Sequence, residues 1–226
     1  MKKRLPRRKT SSKRLRCQHN KTKAARAHCF QVLKRALRLL MRREQALAKQ
    51  LITPEYQGTL QAMHTQRPDW GASAFKFIDP ICAVIEKHRP QSVLDYGCGK
   101  GVLGTVLHDR YPLMPVMMYD PGIPEYAEAP QLAVDMVCCV DVLEHIEPEL
   151  IENVLNHIGK LTKKVAYFIV HTADCGHKLP DGRPAHILQQ PMSWWQDRIE
   201  SAFGACACTY RDTGRPNRFE AVVERL

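Results

Sequence analysis

Ser92-Val-Leu-Asp-Tyr-Gly-Cys-Gly-Lys-Gly101 is the stretch whose reading decides the fold. Val93 and Leu94 have the apolar character of a buried strand end, and Asp95 closes it. Gly97, Gly99 and Gly101 follow at alternate positions, ahead of the helical run Val102, Leu103, Val106 and Leu107. Strand, glycine turn and helix are therefore expected in that order. A side chain at Gly97 or Gly99 would forbid the positive φ of so tight a turn and block close approach of a ligand to backbone. The helix that follows points its free N–H groups at whatever sits on the turn. The spacing is not the dinucleotide pattern Gly-x-Gly-x-x-Gly, and no Gly-Lys-Ser/Thr follows to grip a phosphate.

With Asp95 two residues ahead of Gly-x-Gly-x-Gly, the stretch resembles motif I of the class I S-adenosylmethionine (SAM)-dependent methyltransferases. That resemblance extends over about Ser73 to Leu226. It implies a cofactor site built from Asp95, Tyr96, Gly97, Cys98, Gly99, Gly101 and Asp141, with Asp95 near the amino end of SAM. A second acid at the tip of the next strand, Asp120 in Pro115-Val-Met-Met-Tyr-Asp120, is implied for the ribose hydroxyls, at about the 20-residue offset of a βαβ unit. The expected fold is α/β, a Rossmann-like doubly wound sheet. Pro121, Gly122, Pro124 and Pro130 interrupt the chain before Val134, so the third strand should be shortened or missing. Ala205 to Tyr210 and Arg218 to Val223 read as an antiparallel C-terminal hairpin.

Val134-Asp-Met-Val-Cys-Cys-Val140 is apolar almost throughout, as in a parallel strand covered on both faces. Asp141 ends it and Val142-Leu-Glu-His145 follows, beyond the carboxyl ends of the strands, where ligands bind in such sheets. Many class I methyltransferases carry Asp-Val-Leu-Glu-His without a metal, the carboxylates capping a helix. The small-RNA 2′-O-methyltransferases and the ubiquinone-pathway enzymes, however, hold a divalent ion with an acid, Glu-His and a remote ligand, a cluster that Asp141, Glu144 and His145 resemble. His171, His177 and His186 are candidates for the remote ligand. His186 is favoured because the loop Leu179 to His186 lies between the strand Val165 to Val170 and the helix Ser193 to Ala202. Oxygen and imidazole donors suit Mg²⁺, Mn²⁺ or Fe²⁺. The reading stays open between a metal held by Asp141, Glu144, His145 and His186, and a metal-free site in which His145 or His186 is a general base or structural.

Charge divides the chain. Residues 1–49 carry 18 Lys or Arg and one acid while residues 50–226 carry 16 against 22, so an excess of +17 adjoins one of −6 in a chain of +11. Residues 1–23 read as a disordered basic arm. Residues 24–52 read as a basic amphipathic helix, with Phe30, Leu33, Leu37 and Leu40 at helical spacing. Packing on the body, nucleic-acid contact and a membrane surface all remain open for it. Residues 53–72 read as a connector with turns at Gly58, Pro68 and Gly71, whose Tyr56, His64 and Trp70, with Phe75, could form a lid. Residues 73–226 read as the methyltransferase domain.

Nine cysteines are scattered with no Cys-x-x-Cys, which points to neither a disulfide framework nor structural zinc. Without a signal peptide or an apolar run of spanning length, a reducing cytoplasmic setting is expected. No Asn/Asp-Pro-Pro-Tyr/Phe follows the Val134 strand, and Cys138 and Cys139 lie inside it, so exocyclic-amine methylation by that motif and covalent C5 methylation are disfavoured. Trp194 and Trp195 could stack on a base or anchor their helix. The segment Leu179 to Trp195 resembles one in small phage-type and bacterial methyltransferases. The expected activity is transfer of the SAM methyl group to an acceptor oxygen or nitrogen, on nucleic acid through the basic arm, RNA before DNA. A small-molecule or protein acceptor, and a nucleic-acid-binding protein with a vestigial SAM fold, are the alternatives. Oligomeric state is not legible.

Overall fold

A computed structural model describes residues 50–226, together with Arg35. The basic arm 1–23 and residues 24–49 of the expected amphipathic helix lie outside the described residues. Gln50, Leu51 and Ile52 are not helical.

The expected connector is instead largely helix: α1 runs Pro54–Gln66. Thr53 caps it, its Oγ1 accepting the Tyr56 N–H at 3.2 Å, and Pro54 sits at the first position, where no intrahelical N–H is required. Gly58 is accommodated within the helix at roughly the 1 kcal/mol cost of a helical glycine. The helix ends at Arg67, in extended conformation ahead of Pro68. A 3-10 turn, Ser73–Phe77, then leads into α2, Ile78–His88.

Next come β1 (Val93–Tyr96), α3 (Val102–Arg110), β2 (Val116–Tyr119) and β3 (Val134–Val140). They are followed by α4 (Ile151–Leu161), β4 (Thr162–His171), α5 (Met192–Phe203), β5 (Cys206–Asp212) and β6 (Arg218–Arg225). The sheet order is β2-β1-β3-β4-β6-β5. The first four strands are parallel, and β6 runs antiparallel to both β4 and β5. Between β2 and β3 there is only a 3-10 turn, Pro124–Tyr126, so the third strand of the doubly wound pattern is missing and β2 is an edge.

All seven residues of β3 are buried because helices cover both faces. On one face Leu155 and Ile158 of α4 meet Trp195, Ile199 and Phe203 of α5. On the other, Ile81 and Ile85 of α2 meet Leu103 and Leu107 of α3. Cys138 and Cys139 are fully buried, and burial pushes both thiols well above their ordinary range, which removes them from nucleophilic roles.

The tryptophan pair anchors α5. Trp195 has no exposed surface and donates its indole N–H to the Gln190 carbonyl at 3.2 Å, while Trp194 lies under the Arg198 guanidinium at 3.5 Å. The Trp195 ring is therefore unavailable to stack on a base. No helix among the described residues is long and apolar enough to cross a membrane.

Candidate active site

The parallel strands end at a cavity of about 490 Å³, within the range of small-molecule sites. Its walls come from the glycine turn, the ends of β2 and β3, the segment from α1 to the 3-10 turn, and the loop after β4.

The turn itself is as expected, with positive φ at Gly97 (77°), Gly99 (52°) and Gly101 (70°). The reason for the first two glycines differs from the expectation. A Cβ on Gly97 would lie 2.3 Å from Val142 Cγ2, and one on Gly99 2.3 Å from the Gly71 carbonyl oxygen. These glycines admit neighbouring protein: the loop after β3 in one case, and in the other the backbone that follows α1. The Gly71 carbonyl also accepts the Lys100 N–H at 3.1 Å, and the Lys100 ammonium donates to the His64 carbonyl at 2.9 Å. The α1 segment is thus laced directly onto the turn.

Asp120 lines the cavity and is held by the same backbone. Its carboxylate accepts the Gly99 N–H and the Gly122 N–H, both at 2.8 Å, with His64 Nε2 4.0 Å away. Each oxygen keeps a further lone pair for a ligand hydroxyl. Tyr96 also lines the cavity, its hydroxyl 3.1 Å from His157 Nδ1. His157 Nε2 lies 3.1 Å from the Pro130 carbonyl, which fixes the proton on Nε2 and leaves Nδ1 to accept from Tyr96. The proline-rich segment that replaces the third strand is thereby fastened to the site.

Three expected cofactor residues do not reach the cavity wall: Asp95, Cys98 and Gly101. The strand alternation turns Asp95 toward α3, where it takes the Gly104 N–H. Cys98 is buried, and a Cβ on Gly101 would face Met118 and Tyr126. Asp95 remains electrostatically important. It is 2% exposed, and its Oδ2 has no partner. Burial, with Asp120 adding to it, raises its carboxyl from 3.8 to about 7. A raised folded value means that the unfolded chain ionises first as pH climbs. Relative to Asp95→Asn, the free protein should therefore lose stability between pH 3.8 and about 7 and lose no more above it. The difference in Tm between the two proteins across that window checks this.

The acceptor end gathers histidines. One ligand atom from each of Glu144, His145 and His186 lies within 4.8 Å of the other two. His145 Nδ1 is 2.8 Å from the Ala185 carbonyl and His186 Nδ1 is 2.6 Å from that of Ala173. A carbonyl can only accept, so both Nδ1 atoms carry the proton and both Nε2 atoms present lone pairs. Glu144 is fully buried, with Oε1 taking the His171 N–H at 3.2 Å and Oε2 unpartnered. Burial, then the charge of Asp141, pushes its carboxyl well above the usual range. Burial lowers His186 and, joined by the nearby His186 ring, takes His145 down to about 3.

Asp141, expected in this cluster, falls outside it. At φ 54°, its backbone turns the carboxylate to Ser73 Oγ, which donates to Oδ2 at 2.8 Å, and to Arg218 Nε, 3.1 Å from Oδ1. The arginine offers that carboxylate a fixed charge, which the neutral histidines cannot. Of the other candidates, His177 is engaged by Arg67 Nη1 at 3.0 Å, while the His171 ring lies 4.7 Å from that of His186.

Ser73 and Arg218 line the cavity without belonging to any motif, and only the topology brings them there. The lid reading of Tyr56, His64, Trp70 and Phe75 places all four in the wall. Tyr56 donates to the His145 carbonyl at 2.8 Å, and Trp70 meets the His145 ring edge-on at 5.2 Å. At the start of α1, Glu147 accepts both the Thr53 N–H (2.9 Å) and the Thr53 hydroxyl (2.6 Å).

A SAM molecule fits the cavity in two respects: the glycine turn and the ribose-competent Asp120 both line it. A family model described as a methyltransferase domain matches residues 64–213. Among solved structures, an O-methyltransferase family protein from Burkholderia thailandensis superposes with TM-score 0.52 at 16% identity, over 69% of this chain and 58% of that one. The 1,6-didemethyltoxoflavin-N1-methyltransferase of the same organism, with S-adenosylhomocysteine bound, gives TM-score 0.56 at 16% identity, over 78% of this chain and 92% of that one. Human N-acetylserotonin methyltransferase in complex with SAM gives 0.52 at 15% identity, over 75% and 56%. The chain thus spans little more than half the length of the first and third of these. No curated protein matches the sequence significantly. With the turn, the acid at the β2 tip, the sheet order and the family match in agreement, the chain belongs to the methyltransferase-domain family and shares the fold of these solved methyltransferases.

Proposed function

We propose that this methyltransferase acts on a hydroxyl oxygen of a nucleic acid, RNA before DNA, and that Glu144, His145 and His186 hold a divalent cation beside that oxygen. The observation that carries the reading is the pair of imidazoles fixed by backbone carbonyls so that their Nε2 lone pairs are free, next to the unpartnered Glu144 Oε2. A structural cluster would leave that buried oxygen unsatisfied at a cost of about 1–3 kcal/mol. A general-base role fits His145 poorly, because a group titrating at about 3 is too weakly basic to draw a proton from the acceptor hydroxyl. One carboxylate and two imidazoles suit Mn²⁺ or Fe²⁺, and Mg²⁺ less well.

Bound there, the cation would supply Lewis-acid activation of the acceptor hydroxyl. The cofactor would supply a methyl group already activated by its sulfonium. Transfer would form the acceptor oxygen–methyl bond in line as the carbon–sulfur bond breaks, with S-adenosylhomocysteine as the leaving group and the hydroxyl proton passing to water. The chain's own part is positioning. Asp120 and the glycine turn set the cofactor end, Trp70 and Tyr56 fix His145 from the lid side, and Ser73 with Arg218 fixes Asp141. The excess of +17 over residues 1–49 supports a polyanionic acceptor.

A small-molecule acceptor is the second reading, favoured by neighbours whose names give N-acetylserotonin and the N1 nitrogen of 1,6-didemethyltoxoflavin as acceptors. Methyl-tritiated SAM, incubated with the full chain and with oligoribonucleotides, oligodeoxyribonucleotides or simple phenols, separates the two. RNA label abolished by EDTA and restored by Mn²⁺ or Fe²⁺ is expected. Label in phenols alone would replace the nucleic-acid reading, and label indifferent to EDTA would remove the cation.

A further inference from the structure

The 3-10 turn Ser73–Phe77 divides its residues between two tasks. Ser73 holds Asp141 and Phe77 is buried in the core, 4% exposed. Phe75, two residues earlier, is 55% exposed. Of the exposed large apolar side chains among the described residues (Phe75, Leu113, Leu132, Met192 and Leu226), Phe75 alone lines the cavity. A phenyl ring left more than half in water forgoes burial that an apolar partner would supply, so its position at the mouth invites an apolar ligand face.

What surrounds the ring selects that ligand. Lys76 lies 5.8 Å from the Phe75 ring centroid and also lines the cavity. Arg215, in the exposed turn between β5 and β6, reaches the same 3-10 turn, with its guanidinium carbon 5.6 Å from the Phe77 ring. Neither cation has a carboxylate within ion-pair distance among the described residues. Arg67, the nearest comparable cation on the lid, is by contrast engaged by Asp69 at 3.0 Å. An exposed aromatic ring with one unpaired cation beside it and a second against the buried ring of the same 3-10 turn has the makings of a single-stranded nucleic-acid seat: stacking on the ring is indifferent to base identity, and the cations take nearby phosphates. A neutral aromatic acceptor would use the ring and leave Lys76 and Arg215 without a role.

We infer that Phe75 is the stacking platform for one base of a single-stranded acceptor and that Lys76 and Arg215 grip its adjacent phosphates. The inference rests on the nucleic-acid reading above. It gives the catalytic body a seat of its own for the strand, separate from the basic residues 1–49.

The test uses the full chain with S-adenosylhomocysteine and a single-stranded oligoribonucleotide containing 2-aminopurine, whose fluorescence falls when the base stacks. Anisotropy of an end-label reports total binding. Wild type should quench the aminopurine. Phe75→Ala should abolish the quench while the basic N-terminal residues keep the strand bound, and Phe75→Tyr should restore it. In steady-state transfer Phe75→Ala should raise KM for the strand about five-fold or more, with the SAM KM unchanged. Lys76→Ala with Arg215→Ala should flatten the slope of log affinity against log salt by about 0.7 for each phosphate no longer neutralised. An unaltered quench in Phe75→Ala overturns the proposal even if RNA is methylated. Absence of RNA methylation overturns the function proposed above, and absence of quenching in wild type overturns the platform. If phenol methylation, but not strand binding, responds to Phe75→Ala, the ring serves a small acceptor and the proposal is wrong.

Discussion

Glu144→Gln and His186→Ala should each lower methyl transfer roughly a hundred-fold or more, since the Lewis-acid contribution they would remove is several kcal/mol. SAM affinity should stay near the wild-type value. The choice of glutamine separates two roles. In the free protein, burial raises the Glu144 carboxyl well above the usual range and so favours its neutral form, of which the amide is the closest isostere. A purely structural Glu144 therefore tolerates the change, because the amide oxygen still accepts the His171 N–H that Oε1 accepts now. A cation ligand does not, because it must ionise to bind. Metal content measured on dialysed wild-type and variant protein, beside single-turnover transfer, reads both. Activity surviving in Glu144→Gln with wild-type kinetics would reduce the cluster to scaffolding.

Gly99→Ala should remove measurable SAM binding and lower Tm. The alanine would have to adopt φ 52°, and its methyl carbon would lie 2.3 Å from the Gly71 carbonyl oxygen. Both are backbone restraints, so no rotamer change relieves them. The left-handed conformation alone costs about 1–2 kcal/mol. The steric conflict expels the segment after α1, and with it the Lys100 to Gly71 bond that seats this segment on the turn. Gly71→Ala approaches the same contact from the other side, since its Cβ would lie 2.9 Å from Gly99 Cα. It should therefore share the phenotype. Gly204→Ala, in open space but also at positive φ (67°), controls for backbone strain away from the site. Calorimetric titration with S-adenosylhomocysteine and thermal melts give the two readouts. Tight binding by Gly99→Ala would show that the lid segment is dispensable for the cofactor.

The parts of this site that local sequence encodes are legible without the structure. The turn from Asp95 to Gly101, the acid at the β2 tip and the continuous apolar β3 each follow from a short contiguous pattern. The loss of the third strand is legible too, because Pro121, Gly122, Pro124 and Pro130 leave no room for it. Helix α1 is hidden because Gly58 and the flanking Pro54 and Pro68 carry turn signals that mask the local Thr53 cap on Tyr56, and the Thr53 bonds to Glu147 depend on a residue 94 positions away. Asp141 has the look of a ligand beside Glu144 and His145. Its left-handed backbone, and an arginine arriving from β6, take it elsewhere. Asp95 reads as a cavity residue, but β1 alternation sends it to the opposite face. The histidine tautomers are beyond sequence altogether, since they are set by the carbonyls of Ala173 and Ala185.

The missing third strand also bears on how copies of this protein meet. It leaves β2 with an unpaired row of backbone donors and acceptors, the feature through which sheets add foreign strands and aggregate. Here the hazard is contained by brevity and by proline. The strand has four residues, Val116–Tyr119, with Pro115 before it and Pro121 and Pro124 soon after, so an incoming strand finds little register to extend. Shortening the fold thus removed a strand without leaving a long adhesive edge.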